Sequence, residues 1–209
     1  MPEFILDTVV LRVMSFAHRD GLDILLQALG IQVMRCPAEV YNRDEDAVPL
    51  GDPDDSLSEL ARGLRYARRQ LQEQAHALNR YRTWLCNATQ IVQHLNQGSL
   101  IIDPLLLEEL PRREDLRNLY GIGRGEAAAL TLVERYHPDA VFLSSDKQAC
   151  SVSQRLGFPH LTLYDVLDQW VSRVSPTRGL FDVVVSGMEM ARFKPDAQRI
   201  AELRHRLWR

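Results

Sequence analysis

Residues 126–146 read EAAALTLVERYHPDAVFLSSD. The first part, Glu126–Tyr136, is rich in Ala and Leu and predicts a helix. After His137-Pro138-Asp139 comes a short apolar run, Ala140–Leu143, that predicts a buried strand stopping at Ser144-Ser145-Asp146. Helix, strand and terminal acid recur in both directions. Downstream, Lys147–Leu156 predicts a helix closed by Gly157, His160–Leu163 a strand and Tyr164–Val174 a helix. Upstream, Phe4-Ile5-Leu6-Asp7 predicts a strand ending in an acid, and Val9–Leu29 has helical spacing up to Gly30. Ile31–Met34 and Leu100–Ile102 are further strand candidates. Short helices are expected over Ala38–Arg43 and Pro104–Leu110, and Gly121–Gly125 reads as a loop. Alternating strands and helices predict an α/β domain with a central parallel sheet.

Two regions depart from that alternation. Asp44–Asp55 is an acidic linker with six carboxylates, Pro49, Gly51 and Pro53. Leu57, Leu60, Leu64, Leu71, Leu78 and Leu85 then form a stripe at helical spacing from about Ser56 to Asn96, read as one long helix or a helical hairpin. Residues 44–97 are therefore expected to be a helical insertion in a domain spanning 1–175, followed by a helical tail over 176–209.

The 209 residues allow one domain with an appendage. With 45% apolar and 25% charged residues, a disordered or low-complexity chain is excluded. No apolar run approaches the ~20 residues of a membrane helix. The opening MPEFILD lacks a basic segment and does not read as a secretory signal. Three scattered cysteines, Cys36, Cys86 and Cys150, favour neither a disulfide framework nor a zinc site, and a reducing cytoplasm is expected. The net charge of −3 does not announce a nucleic-acid binder.

In parallel α/β sheets, functional groups gather beyond the carboxyl ends of the strands. Asp7 and Asp146 each follow a predicted strand. Glu126 opens the helix that leads into Ala140–Leu143, so it is expected at the same edge. Each could be a helix cap taken singly. Three acids brought together repel unless a cation lies between them, and hard oxygen donors of this kind suit Mg²⁺ or Mn²⁺. The chemistry they point to is metal-assisted attack of water on a phosphodiester.

These segments, in this order, resemble the PIN-domain family of nucleases. The opening FILDTVVL resembles the family's first strand with Asp-Thr/Ser-x-x-Leu. Gly125–Leu130 (GEAAAL) resembles its Gly-Glu-Ala-x-Ala helix start. Val141–Asp146 with Ala149 and Leu156-Gly157-Phe158 resembles its strand, Thr/Ser-x-Asp and Leu-Gly-Ile close. The similarity covers about residues 3–43 and 98–174, and the turn Arg178-Gly179-Leu180 resembles the tail of one subgroup.

The resemblance implies a three-layer α/β/α sandwich and a divalent-metal-dependent nuclease, most often acting on RNA. It implies Asp7, Glu126 and Asp146 as metal-binding acids, with Ser144 hydrogen-bonding beside the metal. Many members are toxins with a protein antitoxin, and many form homodimers. The family's second acid lies on the helix after the second strand. Here Pro37 and Val40 match, but Asn42 and Arg43 stand at the acid positions. Glu39, Asp44 and Glu45 are the substitutes considered, with Asp44 slightly preferred. Without one of them, a catalytically degenerate scaffold that binds RNA or a protein partner is the rival reading.

Between Glu59 and Arg82, six arginines face Glu59 and Glu73, a local balance of +4. Arg62, Arg65 and Arg69 share a face by spacing, with Tyr66, Tyr81 and Trp84 interleaved. That pattern suits an arm that neutralises phosphates and stacks bases, and equally a solvated helix over core aromatics. The leucine stripe suits a dimer or partner seam. No nucleophile-elbow motif occurs, and the glycine loop 121–125 lacks dinucleotide-loop spacing.

Overall fold

Strand β1 (Glu3–Leu6) is short and almost wholly buried, which fits a central rather than an edge position. In the computed structural model, which describes residues 2–48, 57–73 and 78–207, β1 lies in the middle of a five-stranded, all-parallel sheet. With β2 (Met34–Cys36), β3 (Leu100–Ile102), β4 (Ala140–Leu143) and β5 (His160–Leu161), the order is β3-β2-β1-β4-β5. The protein is an α/β chain of the three-layer α/β/α type. The strand order reverses between β1 and β4, so a crevice opens between their carboxyl ends. Leu6 pairs with Leu143 there, and the Asp7 N–H donates to the Leu143 carbonyl at 3.0 Å.

Alternation along β1 sends Phe4 and Leu6 to one face and Ile5 to the other. The first face is covered by α1 (Thr8–Ala17), α2 (Gly21–Leu29), α3 (Glu59–Glu73), α4 (Leu78–Gln97) and the helices from Leu163 onward. The opposite face is covered by α5 (Leu110–Tyr120), α6 (Arg124–Tyr136) and α7 (Lys147–Arg155). Helix α8 (Leu163–Val174) opens with a capping box in which Thr162 and Asp165 bond reciprocally. Then come α9 (Arg178–Met190) and α10 (Ala197–Arg206).

Several boundaries differ from the sequence expectation. The helical stretch 9–29 is two helices, because α2 turns back so closely that a Cβ on Gly21 would lie 1.8 Å from the Met14 carbonyl oxygen. The second strand is Met34–Cys36 rather than Ile31–Met34. Its middle residue is Arg35, whose charge pairs with Glu3 at 2.8 Å and Asp103 at 3.4 Å, so an apolar-run criterion passes it by. The helix expected at 38–43 is absent: residues 38–40 form a turn, and a 3₁₀ helix covers Arg43–Ala47. The Glu39 and Val40 carbonyls instead accept the Glu59 and Leu60 N–H groups at 3.1 and 3.0 Å. The helix expected at 104–110 starts later, after a 3₁₀ turn, and Pro111 occupies its first turn.

Helices α3 and α4 resolve the leucine stripe into a hairpin. Leu57, Leu60 and Leu64 are buried, and Leu71 and Leu85 pack partly buried against the main core with Leu11, Met14 and Trp84. Among the described residues, the leucines of the stripe pack against the chain's own core. The hairpin therefore belongs to one helical layer of the domain rather than standing apart from it. Residues 49–55 of the acidic linker lie outside the described residues, as does the Leu78 side chain.

Candidate metal centre

Asp7 is the first residue after β1 and the N-cap of α1. Its carboxylate accepts the Val10 N–H at 2.8 Å and the Ser144 hydroxyl, and none of its surface reaches solvent. Ser144, directly beyond β4, in turn accepts the Asp146 N–H at 3.1 Å. Asp146 caps α7, accepting the Gln148 and Ala149 N–H groups at 2.8 and 2.9 Å. One serine thus ties the acids at the ends of β1 and β4 across the switch point.

Glu126 stands in the first turn of α6, half-buried, and its Oε2 is shut from water without a hydrogen-bond partner. The fourth carboxylate is Glu59. The turn at 38–40 seeds α3, and Glu59 in its first turn points back to the strand ends. Its Oε2 accepts the Thr8 hydroxyl at 2.5 Å, and its Oε1 accepts the Gly125 N–H at 3.0 Å. The approach is close: a Cβ on Gly125 would lie 2.7 Å from both Glu59 Oε2 and Thr8 Oγ1. By sequence alone Glu59 stands out only as an acid offsetting the arginine run. Its position two residues after Leu57, at the head of the leucine stripe, was the available signal.

The other substitutes are engaged elsewhere. Glu39 pairs with Arg113 at 2.5 Å. Glu45 accepts the Ser58 N–H, and Asp44 is exposed on the 3₁₀ helix. Of these acids, Glu59 rather than Asp44 is the one bonded to Thr8 and Gly125 beside the strand ends.

The electrostatics tie these carboxylates together. Burial raises Asp7 from the usual 3.8 to about 7, against the lowering hydrogen bonds from Ser144 and Val10, with further increments from Glu126 and Asp146. Burial also raises Glu126, followed by the repulsion of Glu59, against lowering hydrogen bonds from its own N–H and that of Gly123 and with a further increment from Asp146. Among the described residues, no three carboxylate, imidazole or thiol side chains stand close enough to ligate one ion as placed. The donor set nevertheless fits a hard divalent cation: oxygen-only, mutually repelling, partly dehydrated, with one buried oxygen of Glu126 unpaired.

The arginine arm is only partly available. Arg62 is exposed and Arg69 half-buried, but Arg65 is 3% exposed and donates to the Val48 carbonyl at 3.4 Å. Arg65 is thus packed inside the chain, apart from the solvent-facing Arg62. Tyr81 and Trp84 are buried core aromatics covered by Arg80, whose guanidinium carbon lies 4.6 and 5.4 Å from their ring centres. Tyr66 alone of the three aromatics is exposed.

The three cysteines are free thiols, and no helix among the described residues is long and apolar enough to cross a membrane. No family model, curated protein or solved structure matches the chain.

Proposed function

We propose that this chain is a divalent-metal-dependent nuclease of the PIN type, hydrolysing phosphodiester bonds in RNA. The observation that carries the reading is the coupling of Asp7, Glu59, Glu126 and Asp146 at the switch point between β1 and β4. Glu59, on the first α-helix after the second strand, supports the reading as the candidate for the second acid that the resemblance implies.

A Mg²⁺ or Mn²⁺ ion held by these acids would polarise the phosphate and lower the pKa of a bound water. Asp7 and Asp146 are the acids fixed by the strand ends, and Ser144 keeps them in register. Glu126, with its unpaired Oε2 and raised proton affinity, is suited to take the proton of the attacking water. Arg62, exposed one turn along α3 from Glu59, is placed to hold the strand's backbone.

The test is cleavage of structured RNA and of single-stranded DNA with Mn²⁺ or with EDTA, comparing wild type with Asp146→Asn. Metal-dependent cutting that disappears in the variant supports the nuclease and identifies its substrate. If neither protein cuts either substrate, the scaffold reading replaces it.

A further inference from the structure

Beside the acids lies a small cavity of about 70 Å³ lined by Arg12 and Phe16 of α1, Gly63 and Tyr66 of α3, Trp84 of α4, and Ala191 and Arg192 after α9. Its polar groups are donors. Arg12 Nε and Trp84 Nε1 are both shut from water, and neither has an acceptor among the described residues. Buried donors without acceptors are rare and costly, and two at one cavity call for a shared partner. Two guanidinium side chains, Arg12 and Arg192, line the same cavity, so an acceptor that carries negative charge suits it.

The backbone points the same way. Arg192 adopts φ +66 immediately after the α9 C-cap, where glycine is the favoured residue. Its N–H bonds back to the Glu189 carbonyl at 3.0 Å, and its guanidinium carbon stands 5.9 Å from the centre of the exposed Tyr66 ring. Gly187 allows α9 to lie directly against the end of α1: a Cβ there would be 2.0 Å from the Ala17 carbonyl oxygen. That contact fixes the Arg192 turn over the helix that carries Arg12.

We propose that the Arg12–Trp84–Arg192 cavity binds one phosphodiester group of a single-stranded nucleic acid, with the neighbouring base on Tyr66. Arg12 lies on α1, which Asp7 caps, and Gly63 and Tyr66 lie one and two turns along α3 from Glu59, so the bound group sits on the two helices that carry those acids. The inference rests on the nuclease reading for its choice of a nucleic-acid phosphate. The donor geometry itself requires only an oxyanion.

The test reads binding rather than cleavage. A fluorescein-labelled ten-nucleotide single-stranded RNA is titrated in EDTA, by anisotropy, against wild type, Arg192→Gly and Trp84→Phe. Arg192→Gly should weaken binding about tenfold and flatten the dependence of log K on log salt by about 0.7, the share of one phosphate contact. Trp84→Phe keeps the ring and loses the Nε1 donor, and should weaken binding about threefold to tenfold. Unchanged affinity and salt slope in Arg192→Gly overturn the proposal, even if wild type proves to be a metal-dependent nuclease. Conversely, weakened binding in both variants sustains it even if no cutting is found. Thermal stabilisation by millimolar inorganic phosphate, without any binding of the RNA, would make the cavity a free-anion site and overturn the strand assignment.

Discussion

Glu59 Oε2 accepts the Thr8 hydroxyl at 2.5 Å, so the residue that follows the first acid anchors an acid 51 positions away. Partners that orient a metal ligand are worth about 10–100-fold in metal affinity when removed. Thr8→Val should therefore weaken Mn²⁺ binding by about that factor in calorimetry, and Glu59→Gln by at least as much. Asp44→Asn and Glu45→Gln should bind Mn²⁺ as wild type does. Wild-type affinity in Glu59→Gln, or a loss in Asp44→Asn, would return the second acid to the linker.

The parallel α/β class and three of the four candidate acids are legible in short runs: Phe4–Leu6 and Ala140–Leu143 are apolar and end in or near an acid, and Gly125-Glu126 opens an alanine-rich helix. Glu59 is not, because its role depends on a turn at 38–40 whose carbonyls start α3, a contact between segments twenty residues apart. The arginine run misled for the opposite reason. Spacing places Arg62, Arg65 and Arg69 on one face, but only packing against the rest of the chain determines that Arg65 is buried while Arg62 is exposed. Strand β2 was displaced because Arg35 is acceptable in a strand once Glu3 and Asp103 flank it.

The raised pKa of Asp7 makes stability depend on pH. Between 3.8 and about 7 the folded chain holds a proton at Asp7 that the unfolded chain has lost. Its contribution is therefore complete below pH 3.8 and declines as pH rises, until it levels off above about 7. At about 1.4 kcal/mol per unit of separation, the effect amounts to a few kcal/mol. Asp7→Asn, which can still cap α1, should raise Tm relative to wild type at pH 8 and leave it nearly unchanged at pH 4. An equal difference at both pH values would remove burial of the charge as the cause.

A metal ion ligated by Asp7, as proposed, would have to displace that proton, because a carboxylate ligates in its charged form. Mn²⁺ affinity should thus fall as pH drops below 7, by up to about tenfold per unit for one proton displaced. Saturating Mn²⁺ should stabilise the fold more at pH 8 than at pH 5.5, by mass action on the native state. Equal shifts in Tm at the two pH values would show that the ion, if bound, does not contact Asp7.

Arg192 occupies a left-handed position that glycine adopts without a Cβ penalty. A non-glycine residue there costs about 1 kcal/mol or more. Arg192→Gly should therefore melt a few degrees higher than wild type, as read by calorimetry at matched pH. A lower Tm would mean that the side chain contributes packing over Tyr66 that outweighs the strain.

Gly125 separates fold from site more sharply. It lies within α6, where alanine is favoured over glycine by about 1 kcal/mol, yet a Cβ there would stand 2.7 Å from Glu59 Oε2 and Thr8 Oγ1. The added methyl can be accommodated only if the Glu59 carboxylate moves, which also loses its bond from the Gly125 N–H. Helix propensity and displacement act in opposite directions on stability, so the Tm of Gly125→Ala should change little. They do not offset each other at the metal centre, where Mn²⁺ affinity should fall at least as far as in Thr8→Val. If Gly125→Ala binds Mn²⁺ like wild type while keeping its Tm, Glu59 does not ligate the ion. A melting temperature lowered together with affinity would instead make Gly125 a packing position, and Thr8→Val would then decide the role of Glu59.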